Sequence, residues 1–266
     1  MLKRDLQRGF NSWAFWLGML TFGCGLVAMA IPYQYVVDGS SPVFVYGMLF
    51  TNVLLLLPAL LCVLPLGTAF FDEWNSQYYR LAISRLGWVR YGYNRVASTA
   101  IIGGLSVMLP ATVALFACYT FVPENGATNT LFANMDYPMY RSWMPGGPAQ
   151  AAAMPGGQVL LLERWFAVVW MLRLFLFGAC WSQLGLAVSA WVDDWALTLV
   201  IPFATYIAVN GITSRYGPGF LDCKSMIGLG GLVNYPMWVS LAVPLGWGLL
   251  FIALFIWGIR RRIAHE

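Results

Sequence analysis

Hydrophobic positions along the chain gather into six runs, 13–31, 47–69, 97–119, 163–190, 195–211 and 238–259, separated by stretches where charged and turn-forming residues collect. A helix needs about 20 apolar residues to cross a bilayer core. Most of the runs meet that length; the fifth, which contains Pro202, is short by that measure. The pattern predicts an all-α integral membrane protein of six transmembrane helices forming one transmembrane domain over 1–266. Pro58 and Pro65 lie inside the second run, where membrane helices accommodate proline, often with a kink. Gly103, Gly104 and Ser106 give the third run a small face against which another helix can pack closely. The glycine-rich piece 227–233 reads as a shallow re-entrant or interfacial segment before the last span. The longest polar connection, 120–158, carries two MPGG strings and reads as an external loop with a pair of turns.

One interior stretch breaks the apolar pattern. Between the second and third runs, 70–96 is rich in tyrosine and holds Arg80, Arg85, Arg90 and Arg95. Written on a helix, Trp74, Tyr78, Ala82, Leu86, Val89 and Tyr93 recur at spacings of three and four, while Arg80, Ser84, Gly87 and Asn94 fall mainly elsewhere. The expected object is one or two short amphipathic helices on the cytoplasmic face, bent at Gly87, with Asp72 and Glu73 near the start beside exposed amides.

Composition removes the soluble alternative: 60% hydrophobic and 10% charged residues leave too little polar side chain to cover a soluble surface. The net charge of +4 does not point to nucleic acid, because the basic residues cluster beside apolar runs, as Lys3, Arg4 and Arg8, as the four central arginines, and as Arg260, Arg261 and Arg262. Such clusters mark the cytoplasmic side of spans. Six spans put both termini and the central segment on that side, in a multi-pass protein of a cytoplasmic membrane.

Candidate chemistry is sparse. The five cysteines are widely spaced without a CxxC, and the single histidine is His265, so neither a Cys/His metal site nor a Ser-His-Asp arrangement is supported. No GxxxxGK[ST] string occurs, so the chain carries no nucleotide-binding loop of that type. Asp72 and Glu73 are neighbours and point in different directions on a helix, which suits a helix start better than paired acid and base. Arg173 lies well inside the fourth run; at that depth it must face protein, water or a carboxylate, either in a structural ion pair or against a transported anionic group. Neither Glu163 nor Asp193 stands three or four residues away from it. The segment 70–96 has three readings: a surface amphipathic helix, a binder of anionic membrane lipid, or a dock for a cytoplasmic protein.

The order of these elements, with FDEWNSQYYRLAISRLGWVRYGYNRV following the second run, resembles the membrane subunit of a bacterial type-2 ABC exporter. In that family this segment is similar to a coupling helix with an acidic start, a small or serine residue near its middle and a basic residue before the third span; Glu73, Ser84 and Arg95 stand at the corresponding positions. Gly87 and Trp88 replace a frequent proline-bearing turn, and the loop after the third run is unusually large. The resemblance implies a non-catalytic permease subunit paired with an identical or related membrane subunit and two cytoplasmic ABC ATPase subunits. ATP and Mg would be bound by those partners and no cofactor by this chain. The partner-coupling residues it implies are Glu73, Tyr78, Arg80, Ser84, Arg85, Arg90 and Arg95. A membrane scaffold and an ion-driven secondary transporter are the alternatives.

Overall fold

A computed structural model of the chain describes residues 2–36, 42–50, 56–67, 69–122, 156–217, 221, 226–228 and 237–264. Five of its helices are long and apolar enough to cross a membrane: α2 (Trp13–Val36), α7 (Trp88–Phe121), α8 (Gly156–Ser189), α9 (Trp195–Tyr216) and α10 (Met237–Ala264). The shorter helices are α1 (Leu2–Phe10), α3 (Pro42–Leu49), α4 (Leu57–Leu61), α5 (Ala69–Asn75) and α6 (Tyr78–Leu86). The protein is thus a multi-pass, all-α integral membrane bundle.

Helix α8 is the axis of the packing. Its Trp181 is buried between Tyr206 of α9 and Phe251 of α10, both at ring centroids 5.6 Å away. One part of the bundle further along, its Trp170 meets Tyr46 and Phe50 at 5.1 and 5.2 Å. Where α7 crosses α8, the contact is between backbones: a Cβ on Gly178 would lie 2.4 Å from the Gly103 carbonyl oxygen. The small face expected at Gly103 and Gly104 is therefore the seam between these two helices.

The second apolar run is not one continuous helix. It is divided into α3, α4, a series of turns over 62–67, and α5, with 51–55 and 68 outside the described residues. Pro58 is the second residue of α4, where the missing amide costs nothing, and Pro65 falls in the turns. Irregular backbone at this position is tolerated because protein surrounds it: Ala59, Cys62, Val63 and Leu66 are all buried. Elsewhere the helices outgrow the apolar runs. Helix α2 continues through Pro32 to Val36, α9 reaches Tyr216, and α7 begins at Trp88, inside the charged segment. Of the loop read over 120–158, residues 123–155 lie outside the described residues.

The charged segment folds as two short helices followed by the start of α7. Gly87 separates α6 from α7 with φ +75° and ψ 151°, a left-handed conformation that favours glycine, at the bend expected there. Gln77, at φ 55°, makes the earlier break between α5 and α6. The three basic clusters all converge on this end of the bundle. Arg4 donates to Tyr78 Oη at 2.9 Å, Arg8 pairs with Asp72 at 3.0 Å, and Arg262 lies 4.7 Å over the Trp74 ring.

Candidate functional site

Under α6 lies a buried ionic cluster that joins three elements distant in sequence. Arg95, in the first part of α7, is 1% exposed and forms an ion pair through Nη2 with Glu73 Oε1 on α5. Its Nη1 is 3.4 Å from Asp5 Oδ1 on α1, and Tyr91 donates its hydroxyl to Glu73 Oε2 at 2.7 Å. Glu73 and Asp5 are themselves buried. One planar guanidinium thus answers two carboxylates, a task its forked donors suit and a point-charge ammonium does not. The geometry follows from local sequence: Tyr91 and Arg95 are four residues apart on one face of α7, and Asp5 and Gly9 occupy the same face of α1. Gly9 lets α1 lie against Ile102, since a Cβ there would come within 2.7 Å of that side chain.

Around this buried knot the remaining segment turns outward. Tyr79 and Ala82 are the buried residues of α6, with Tyr79 stacked on Trp74 at 4.2 Å. Arg80, Leu81, Ser84 and Arg85 are exposed, as are Trp88, Val89 and Arg90 past the bend. Tyr78 is half-buried and holds Arg4. Arg80 donates to Tyr79 Oη at 3.1 Å, and the Ser84 hydroxyl turns back to the Leu81 carbonyl. Of the residues singled out for partner coupling, Glu73 and Arg95 therefore face into the protein. Arg80, Ser84, Arg85 and Arg90 face away from it.

The C-terminal arginines complete the end. Arg260, Arg261 and Arg262 lie 4.8, 5.1 and 4.7 Å over the rings of Trp88, Trp191 and Trp74. Arg262 also donates to the Ala190 carbonyl at 2.7 Å and to Asp193 at 2.5 Å. These cation–π contacts lash the end of α10 to the start of α7, the end of α8 and the segment's first helix.

Arg173 stands apart, 17 residues before Ala190 and so roughly 25 Å along the α8 direction at 1.5 Å per residue. It is 1% exposed, and its Nη1 is 3.4 Å from the carbonyl of Gly228. Trp170, one turn earlier, donates to the Ile227 carbonyl at 2.9 Å. Met226 and Ile227 are buried, so this piece of the glycine-rich segment enters the protein and offers its carbonyls to α8. Among the described residues no carboxylate pairs with Arg173; side-chain detail at Glu163 and the stretch 229–236 lies outside them.

Residue patterning did not single out Asp5. Its one signal is a carboxylate inside an otherwise basic start, spaced four from a glycine. Burial raises the Asp5 carboxyl above its ordinary range, with Arg95 the largest influence pulling it down. A carboxyl raised in the folded chain contributes stability while protonated, at low pH, and loses that contribution as pH rises through the raised value. Asp5→Asn is accordingly expected to gain in melting temperature relative to the parent as pH is taken from about 4 to about 8. Parallel thermal melts of the two detergent-solubilised proteins check this, and a difference independent of pH contradicts it.

No family model, curated protein or solved structure matches the chain.

Proposed function

We propose that this chain is the membrane subunit of an ATP-driven exporter, forming part of a translocation path and receiving motion from separate cytoplasmic ATPase subunits. The observation that carries the reading is the construction of the segment between α5 and α7. An exposed face bearing Arg80, Leu81, Arg85, Trp88 and Arg90 is mounted on helices whose roots are fixed by the buried Glu73–Arg95 pair. Arginine and tryptophan are the side chains from which protein contacts draw most of their energy. A push on that face is delivered to α7, because Gly87 is the only residue between α6 and the long helix. Coupling of distant sites requires an element of this kind, rigid enough to move as a unit between two states.

In this reading the second apolar run, 47–69, supplies the sixth pass, and both termini with the basic end are cytoplasmic, as the positive clusters favour. The assembly holds a second membrane subunit, identical or related, and two ATPases that bind ATP and Mg; the membrane chain performs no phosphoryl chemistry. Arg173 would line the path or brace it. Exchange of the buried carbonyl contacts at Gly228 for an anionic group would be its means of meeting cargo.

The test is affinity purification of the tagged chain from its own membrane in mild detergent, with intact-complex mass measurement. The expected complex contains two membrane chains and two soluble ATPases. Arg80→Glu, Arg85→Glu and Arg90→Glu together are expected to weaken ATPase association roughly tenfold or more while insertion is unchanged. A complex lacking any ATPase would sink the exporter reading and favour a scaffold or an ion-driven carrier. Equal ATPase recovery with the triple change would remove this face as the dock.

A further inference from the structure

Between α1 and the α5–α6 turn lies an open cleft of about 620 Å³, lined by Arg4, Arg8, Asp72, Ser76, Tyr78 and Arg80 among others. Its charge is one-sided. Asp72 is neutralised by Arg8 at 3.0 Å, and the carboxylate of Glu73, which also borders the cleft, is engaged with Arg95 and Tyr91. Arg4 is held in place by Tyr78, to which it donates at 2.9 Å while lying 5.1 Å over the ring. Arg80 is similarly set by Tyr79. Helix α6 begins at Tyr78, on the cleft wall, with no side chain capping its first amides, so the positive end of its dipole faces the same space. A second, smaller cleft of about 280 Å³ shares Arg4 and Tyr78 and adds Arg85.

Exposed tryptophans next to α1 point to a membrane lipid as the source of the anion. Helix α1 is tied to the start of α2 by a hydrogen bond of 2.7 Å from Trp16 Nε1 to the Phe10 carbonyl. Trp13, 78% exposed, and Trp16 together form an aromatic pair of the kind that settles among lipid headgroups. Beyond them α2 shows Leu17 and Leu20 on its exposed surface. Arg4 and Arg8 are thus carried on the short helix that immediately precedes these tryptophans in the chain.

We propose that the cleft between α1 and the α5–α6 turn seats the phosphate headgroup of an acidic membrane phospholipid, with Arg4 and Arg8 as its principal ligands. The headgroup accepts from Arg4 and from Arg8 donors other than the Nη2 that pairs with Asp72, and bridges α1 to the charged segment, so that the lipid pins the exposed α6 face in one position. The cleft borders that exposed face through Arg80 and Leu81, but its principal ligands Arg4 and Arg8 are not part of the face on which an ATPase would dock, and the site holds whether or not the chain is an exporter.

The experiment is performed on the isolated full-length chain, delipidated in detergent, with no ATPase present. Its melting temperature is followed against added phosphatidylglycerol, phosphatidylcholine of the same acyl chains, and inorganic phosphate. Phosphatidylglycerol is expected to raise the midpoint at concentrations where the other two do not. Removing one arginine is expected to weaken the apparent affinity roughly fivefold, the worth of one basic side chain near an anionic surface, so Arg4→Gln with Arg8→Gln weakens it by about 25-fold. The lipid-free melt of the double variant, whose α1 is still held by Asp5 and Gly9, is the control for folding; Arg4→Gln alone gives the same test with less perturbation. An equal response to phosphatidylcholine overturns the headgroup assignment. An equal response to inorganic phosphate overturns the lipid as its source, and an unchanged response in both variants overturns the cleft as its location.

Discussion

Arg95→Leu is expected to destabilise the folded chain by about 3–5 kcal/mol, the cost of removing one partner from a buried ion pair. The variant leaves Glu73 and Asp5 facing each other, both buried, with the intervening cation gone. Two carboxylates in that position cannot both stay ionised without a large penalty. Arg95→Lys is not expected to restore the loss, since a single ammonium lacks the planar fork that reaches both acids. Neutralising the whole cluster is a different matter. Asp5→Leu, Glu73→Met and Arg95→Leu together replace the charges by apolar side chains and remove their desolvation cost at once, and such replacements are commonly near neutral. The measurement is thermal or denaturant unfolding of the four proteins in one detergent. If Arg95→Leu melts with the parent, the cluster is not a buried ionic knot. If the triple variant is no better than the single, the knot's value lies in something other than charge balance.

Much of the architecture is legible in the chain, and the misses share a cause. The membrane class, the positions of the long helices, the helical charged segment with its bend at Gly87 and the small seam at Gly103 are all written in local pattern, where each residue's neighbours in space are its neighbours in sequence. The break in the second apolar run is not local. Pro58 and Pro65 fit a kinked helix as well as a broken one, and burial of Val63 and Leu66 by distant helices decides between them. The same holds for the candidate site. Glu73 and Arg95 stand out in the sequence, but that they meet each other across 22 residues and recruit Asp5 from the first helix does not. Periodicity carries no sign of such a pairing. Arg173 illustrates the extreme case: a side chain that demanded a partner was legible, but its partner is a backbone carbonyl of Gly228, which has no signature in side-chain chemistry.

Gly178→Leu is expected to destabilise the native bundle strongly by forcing α7 and α8 apart. A Cβ at Gly178 would come within 2.4 Å of the Gly103 carbonyl oxygen and 3.0 Å of Val107, and one at Gly103 would lie 2.4 Å from Ser182 Cβ. The first of these obstacles is backbone, which has no rotamer to change, so α7 and α8 must separate. Separation also breaks the hydrogen bonds that cross the seam, from Ser182 Oγ to the Thr99 carbonyl at 3.1 Å and from Gln183 Nε2 to the Val96 carbonyl at 3.2 Å. Overpacking of a well-filled core costs about 1–3 kcal/mol where side chains can adjust; here the loss adds two interhelical hydrogen bonds, each worth about 0.6 kcal/mol in a membrane bundle. The consequence reaches the basic end, because Val96 is the residue after Arg95 and the seam is what fixes α7 along its length. The contrast is supplied by Gly246 on α10 and Gly211 on α9, where nothing lies within 4 Å of an added Cβ. Alanine at either position meets no steric obstacle and is expected to raise stability by about 1 kcal/mol or less through helix propensity alone. Expression level, monodispersity in detergent and melting temperature of the three variants decide the matter: Gly178→Leu folding at the parent's temperature would show that the two helices do not meet backbone to backbone.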